Sequence, residues 1–238
     1  METSPKVILL KDYFDPKARR PVSSRPEKII WWKKNLFVQT RSTFEIYYPS
    51  GKHIKTIKHS IGPYIIDFRV LENRDYLILT KNSDFSVILV NQHGETVQKT
   101  EFQDVVDGRI REDNKIILVF KTGETNIFDL FTDEMVSLYS TDLIYRRVLP
   151  IGNHILFEFE QGFYLTLGKI DFPFTFSEWA TDQKKIALLS NDQILIVDIL
   201  GTVHKNLKIS IEGPKGIAID ESGTIAVINN EKVFIFSK

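Results

Sequence analysis

Residues 64–102 read YIIDFRVLENRDYLILTKNSDFSVILVNQHGETVQKTEF, and their layout decides the fold. Four strand-like runs, YIIDFRV, YLILTK, FSVILV and TVQKTEF, are separated by short polar turns. Runs of this kind bounded by Asn, Asp, Ser and Gly read as antiparallel strands. In the turn Gln92-His93-Gly94 the glycine can take a positive φ and reverse the chain into the last of the four strands.

Working outward, the same four-strand unit of about 40 residues recurs, which is the mark of a propeller blade. Before it, from Lys28, come IIWW, NLFVQT, TFEIYYPSGK and HIKTIK, with Pro49-Ser50-Gly51 at the matching turn. After it come VVDGRIRED, KIILVF, ETNIFDL and EMVSLYS, then IYRRVLPIGN, HILFEFE, GFYLTL and an irregular KIDFPFTF. Pro173 confines that last run to an edge, because proline cannot donate to a ladder. A fifth unit follows with FSEWATDQ, KIALLS, QILIVDILG and VHKNLKI, and a sixth with GIAIDESG, TIAVIN and KVFIFSK.

The sixth unit stops one strand short, and the apolar run Lys6 to Leu10 at the other end of the chain has no blade of its own. The two deficits cancel if residues 6–10 supply the missing outer strand and close the ring, which removes open sheet edges. The expected architecture is an all-β propeller of six four-stranded blades forming a single domain over residues 1–238. Residues 6–10 seal it, 11–27 form a Pro- and Arg-rich connector loop, and 28–238 form the blades. A β-sandwich of irregular strands is the alternative that the turn spacing also accommodates. No stretch sustains helical periodicity over three turns.

Composition supports strands and narrows the chemistry. Phe occurs 17 times against 2 Met, and there is no cysteine, so disulfides, thiolate zinc sites and cysteine nucleophiles are excluded. With no Asn-x-Ser/Thr sequon, and no apolar run long enough for a signal peptide or a membrane span, the chain reads as cytoplasmic. Net charge is zero, but residues 1–58 hold 13 Lys and Arg against 5 Asp and Glu. The charge is therefore polarised along the chain.

Motifs for catalysis are missing from the sequence. There is no GxSxG, Walker A or GxGxxG run. His53, His59, His93, His154 and His204 stand in separate units, none in a metal-ligand spacing, and read as solvated turn residues. Asp67, Asp107, Glu178 and Asp220 fall near innermost strands, where carboxylates from several blades could converge on a channel metal such as calcium. They read more simply as turn or edge carboxylates, and no cofactor is expected. Trp31 and Trp32 alternate along one strand and are expected to be buried between sheets. Arg146 and Arg147 alternate likewise, so one should meet a carboxylate toward a neighbouring blade.

Two resemblances add to this reading. GPKGIAIDESGTIAVINNEKVFIFSK, residues 213–238, is similar to the NHL type of propeller repeat, with its Pro-x-Gly-Ile-Ala-x-Asp-x-x-Gly signature. Gly216 and Gly223 fit that repeat as a close-packing position and a tight turn. The stretch from Phe44 to Glu95, FEIYYPSGKHIKTIKHSIGPYIIDFRVLENRDYLILTKNSDFSVILVNQHGE, resembles the opening blades of the N-terminal propeller of the Vps-sixteen family. KIALLSNDQILIVDI, residues 185–199, is similar to a later blade of that propeller. The resemblance implies kinship to a core subunit of the HOPS and CORVET tethers, which bring endosomal, lysosomal or vacuolar membranes together. It covers the propeller alone, not the helical solenoid that follows in that family.

The function expected is a non-catalytic protein-interaction scaffold, with tether-complex subunits and the endosomal or vacuolar membrane as the partners the resemblance implies. Its interaction surface is expected at Lys17, Arg19, Arg20, Arg25, Lys28, Lys33 and Lys34, a basic group suited to an acidic partner or anionic headgroups. The alternatives are a channel-metal hydrolase of the lactonase type and, less favoured by the zero net charge, a nucleic-acid-binding propeller.

Overall fold

The computed structural model describes residues 5–9, 13–15, 20–22, 25–61, 64–143, 145–152, 154–160, 162–165, 168–170, 172, 176–182 and 184–236. Among them every regular element is a strand. Strand β1 (Lys6–Leu9) opens the chain, followed by a short ladder of β2 (Tyr13–Asp15) with β3 (Arg20–Val22). Blade 1 holds β4 (Lys28–Trp32), β5 (Asn35–Gln39), β6 (Thr43–Tyr47) and β7 (His53–Lys58). Blade 2 holds β8 (Ile65–Val70), β9 (Tyr76–Lys81), β10 (Phe85–Val90) and β11 (Thr96–Phe102). Blade 3 holds β12 (Val105–Ile110), β13 (Ile116–Phe120), β14 (Glu124–Asp129) and β15 (Glu134–Ser140). Blade 4 holds β16 (Tyr145–Ile151), β17 (His154–Phe159), β18 (Gly162–Leu165) and β19 (Gly168–Ile170). Blade 5 holds β20 (Glu178–Thr181), β21 (Lys185–Leu189), β22 (Gln193–Asp198) and β23 (Val203–Lys208). Blade 6 holds β24 (Gly216–Ile219), β25 (Ile225–Ile228) and β26 (Lys232–Phe236), and β1 completes it.

The fold is thus a six-bladed β-propeller, as the sequence predicts. Lys6 pairs with Ile235 and Leu9 with Lys232, so the N-terminal strand is the outer strand of the C-terminal blade. The chain divides into two compact units of three blades: residues Met1–Pro63 with Phe174–Lys238, and Tyr64–Pro173. The connector expected to be an extended loop contains the β2–β3 ladder, in which Pro21 sits opposite Phe14. A proline is tolerated there because a two-stranded ladder is all edge. Pro173 lies outside the described residues.

Burial explains why the middle strands read as unbroken apolar runs. In β9 and β10 nearly every residue is buried, because both faces of a blade are covered. The period-2 alternation then deals residues to opposite sides. In the 64–173 unit, Ile116 and Leu118 of β13 pack toward Leu77, Leu79 and Phe85 of blade 2. Ile117 and Val119, between them, pack toward Val148, Phe157 and Phe159 of blade 4. In the other unit, Ile225 and Val227 face blade 5 while Ala226 and Ile228 face Leu36 and Val38 of blade 1.

Among the described residues one turn recurs six times: the first residue's N–H donates to the fifth residue's carbonyl, and the fourth residue's N–H donates back to the first residue's carbonyl. It spans residues 48–52, 71–75, 91–95, 111–115, 198–202 and 220–224. The fourth position has a positive φ in each, filled by Gly51, Gly94, Gly201 and Gly223, by Asn114 and by Arg74. Glycine is favoured there because it carries no Cβ to clash in that region. The glycines flagged in the sequence as turn formers hold these positions.

Candidate interaction site

The inner strands of the 64–173 unit carry a polar network. Asp67 of β8 accepts from its neighbour Phe68 N at 3.0 Å and from Ile110 N of β12 at 3.0 Å. Asp107 of β12 repeats the device one blade on, accepting from Val148 N of β16 at 3.0 Å. Asp107 also receives Arg109 Nη1 at 2.6 Å and the Tyr145 hydroxyl at 3.3 Å. Burial by itself would lower the Arg109 guanidinium, but the charges of Asp107 and Asp67 hold its pKa above the ordinary value. Burial, reinforced by the Asp107 charge, pushes the Tyr145 phenol well up, so it stays a donor. These carboxylates cross-link adjacent inner strands, and their buried charge is matched by a cation and by amides.

Asp67 and Asp107 are thus engaged in hydrogen bonds between inner strands of their own unit. Asp220 caps its own turn, accepting from Thr224 N and Ser222 Oγ, both at 2.7 Å. Glu178 lies on β20 opposite Leu189. Among the described residues no group of three or more His, Asp or Glu side chains is placed to hold a metal ion.

The predicted basic surface separates into groups. Lys17 and Arg19 lie outside the described residues, and Arg20 opens β3. Arg25 is exposed just before β4, close enough to Lys215 to disfavour its charge, although burial is the larger cause of the lowered Lys215 pKa. Lys28 begins β4, whereas Lys33 and Lys34 form the turn at its other end. At about 3.3 Å per residue, the two ends stand roughly 15–20 Å apart. Both turn lysines are exposed and left-handed, with φ of 46° and 67°. Each costs on the order of 1 kcal/mol in backbone strain. Lys33 Nζ sits 4.8 Å from the centre of the Trp32 ring. Trp31 and Trp32 are half-buried, not fully enclosed as expected: a two-residue turn leaves the strand end partly open to solvent.

Of the remaining expectations, the one for His59 changes. Arg147 meets a carboxylate, as expected for one of the pair, with Nε 2.5 Å from Glu158 Oε2 across the β16–β17 pair. Cross-strand neighbours stand closer than residues of the next sheet, which is why the partner is local. His59 is no solvated turn residue: it is 8% exposed and packs 4.6 Å from the Phe44 ring. Its ring nitrogens approach the Thr40 and Thr43 carbonyls without reaching hydrogen-bond geometry, and burial lowers its pKa to about 4. Finally, the sequence reading placed EMVSLYS as a strand but named no site on it, and all seven residues of β15 are exposed. Its signal was available, since EMVSLYS has no lysine.

No family model matches this chain, and no curated protein matches it. Solved structures do. The Myceliophteria thermophila Cps50 (Swd1) β-propeller domain aligns with a TM-score of 0.63 at 11% identity, covering 98% of this chain and 100% of that one. The Neurospora crassa Pan2 WD40 domain aligns with a TM-score of 0.60 at 11% identity, covering 99% and 96%. A streptogramin B lyase aligns with a TM-score of 0.59 at 12% identity, covering 96% and 97%. Likeness at this identity establishes a shared propeller architecture and no more.

Proposed function

We propose that this protein is a non-catalytic protein-interaction scaffold. The observation that carries the reading is the use made of the inner-strand carboxylates. Asp67 and Asp107 are engaged with amides of the next inner strand, and Asp107 also with Arg109 and Tyr145. Groups held this way rigidify the frame on which variable turns are displayed, which is what a binding platform requires. The likeness to the Swd1 and Pan2 propellers supports protein partners.

The finer reading is a component of the machinery that tethers endosomal or vacuolar membranes, working from the cytoplasmic side. It rests on the resemblance of residues 44–95 and 185–199 to the Vps-sixteen propeller. Arg25, Lys28, Lys33 and Lys34 supply cations for an acidic subunit or for anionic headgroups, each worth about 1 kcal/mol near a charged membrane surface.

The test is to purify the tagged protein from its native cells at moderate salt and to identify its companions by mass spectrometry. A reproducible set of protein partners is expected, with tether subunits among them. A protein that recovers no partner and carries stoichiometric calcium would overturn the scaffold reading.

A further inference from the structure

Outer blade strands are open sheet edges, and charged residues, lysine above all, are the usual guard against unwanted pairing. Five of the six outer strands here contain lysine in their sequence: Lys6 in β1, Lys55 and Lys58 in β7, Lys99 in β11, Lys169 in β19, and Lys205 and Lys208 in β23. β15 contains none. It pairs with β14 alone in its sheet, and its exposed side chains include Met135 at 43%, Val136 at 62%, Leu138 at 44% and Tyr139 at 45%. Phe131, in the turn that leads into it, is 57% exposed. Glu134 to Ser137 run in unbroken register with β14 before a bulge at Leu138, which leaves a straight edge four residues long.

The electrostatics around this edge are one-sided. Residues 122–145 contain no Lys or Arg and five carboxylates: Glu124, Asp129, Asp133, Glu134 and Asp142. Of these, Asp129 is neutralised by Lys115 at 3.6 Å. An apolar edge without lysine, with Glu134 at its start and Glu124 opposite Ser140 at its end, opposes a second copy of itself and suits a cation-bearing strand.

We propose that β15 is a docking edge for an extended basic segment of a partner protein, which adds a fifth strand to blade 3. Its backbone continues the ladder, its apolar side chains cover Val136 and Leu138, and its Lys or Arg residues meet the carboxylates. This assignment rests on the scaffold reading and uses none of the basic residues discussed above.

The probe is a synthetic peptide of alternating Lys and Val, about eight residues long, compared with its Glu-Val counterpart and with a version N-methylated at alternate amides. Binding is followed by fluorescence anisotropy and mapped by hydrogen exchange on the full chain. The Lys-Val peptide should bind, slow exchange across residues 134–140, and weaken about tenfold or more when salt rises from about 50 to about 300 mM. The Glu-Val and N-methylated peptides, and the double variant Val136→Lys/Leu138→Lys, should each lose about tenfold or more in affinity. Both substituted positions are exposed, and an unchanged exchange pattern elsewhere will show that the variant is folded. Equal binding of the Glu-Val peptide, protection located elsewhere, or self-association of the chain through β15 would overturn the proposal. Native partners that survive the double variant would also overturn it while leaving the scaffold reading intact.

Discussion

Acid should destabilise this protein through His59. The ring is buried against Phe44, both nitrogens lack a hydrogen-bond partner, and its pKa is lowered to about 4. In the unfolded chain the same group titrates near 6.5. Above that value both states are neutral and the residue contributes nothing to pH dependence. Below it the unfolded chain takes up a proton that the folded chain refuses, so stability falls with pH through the window from about 6.5 to about 4. Integrating across those two values gives a loss of about 2 kcal/mol by about pH 5 and about 3 kcal/mol by about pH 4. The perturbation is His59→Phe, which cannot titrate and which replaces unpartnered nitrogens with apolar surface at little cost near pH 7. Urea unfolding followed by tryptophan fluorescence is the assay. Trp31, Trp32 and Trp179 all belong to the same compact unit as His59, so the signal reports the right part of the molecule. The wild type should lose about 2 kcal/mol relative to His59→Phe between about pH 7.5 and about pH 5. Parallel stability curves over that range would refute the argument from burial.

Four further outcomes follow from packing and backbone geometry. Asp107→Ala strands the buried Arg109 guanidinium and the Val148 amide, and should cost about 3–5 kcal/mol in urea unfolding, with Asp107→Asn costing less. Gly108→Ala would place a methyl 2.6 Å from the Phe85 ring and 2.8 Å from the Ile117 carbonyl, so a thermal melt should show a loss of about 1–3 kcal/mol. Ile8→Ala empties part of the core between blades 6 and 1, and should lower stability by about 2 kcal/mol and speed exchange of the β1 and β26 amides. Lys34→Gly relieves a left-handed backbone at φ 67° and should raise the melting temperature, by about 1 kcal/mol in stability.

The sequence by itself determined the blades. Strand length, polar turns and glycine spacing are local properties, and they located the four strands of each unit and the turns between them. The closure by Lys6–Leu9 was legible for the same reason: an orphan strand and an incomplete blade are both countable along the chain. What depended on three dimensions was the fate of individual polar side chains. Asp67 and Asp107 looked like turn carboxylates or metal ligands, yet their partners are amides 43 and 41 residues away, a distance no local pattern encodes. Likewise His59 stands at a strand end in sequence, and only the packing of Phe44 over it makes it a buried base. Lys28 and Lys33 are neighbours in sequence but sit at opposite ends of one strand, so a basic run became two separated groups. The bareness of β15 was written in its residues, but its meaning depended on knowing that it is an edge. A strand's residues state its composition; which of its sides is left uncovered is decided by the sheets that pack around it.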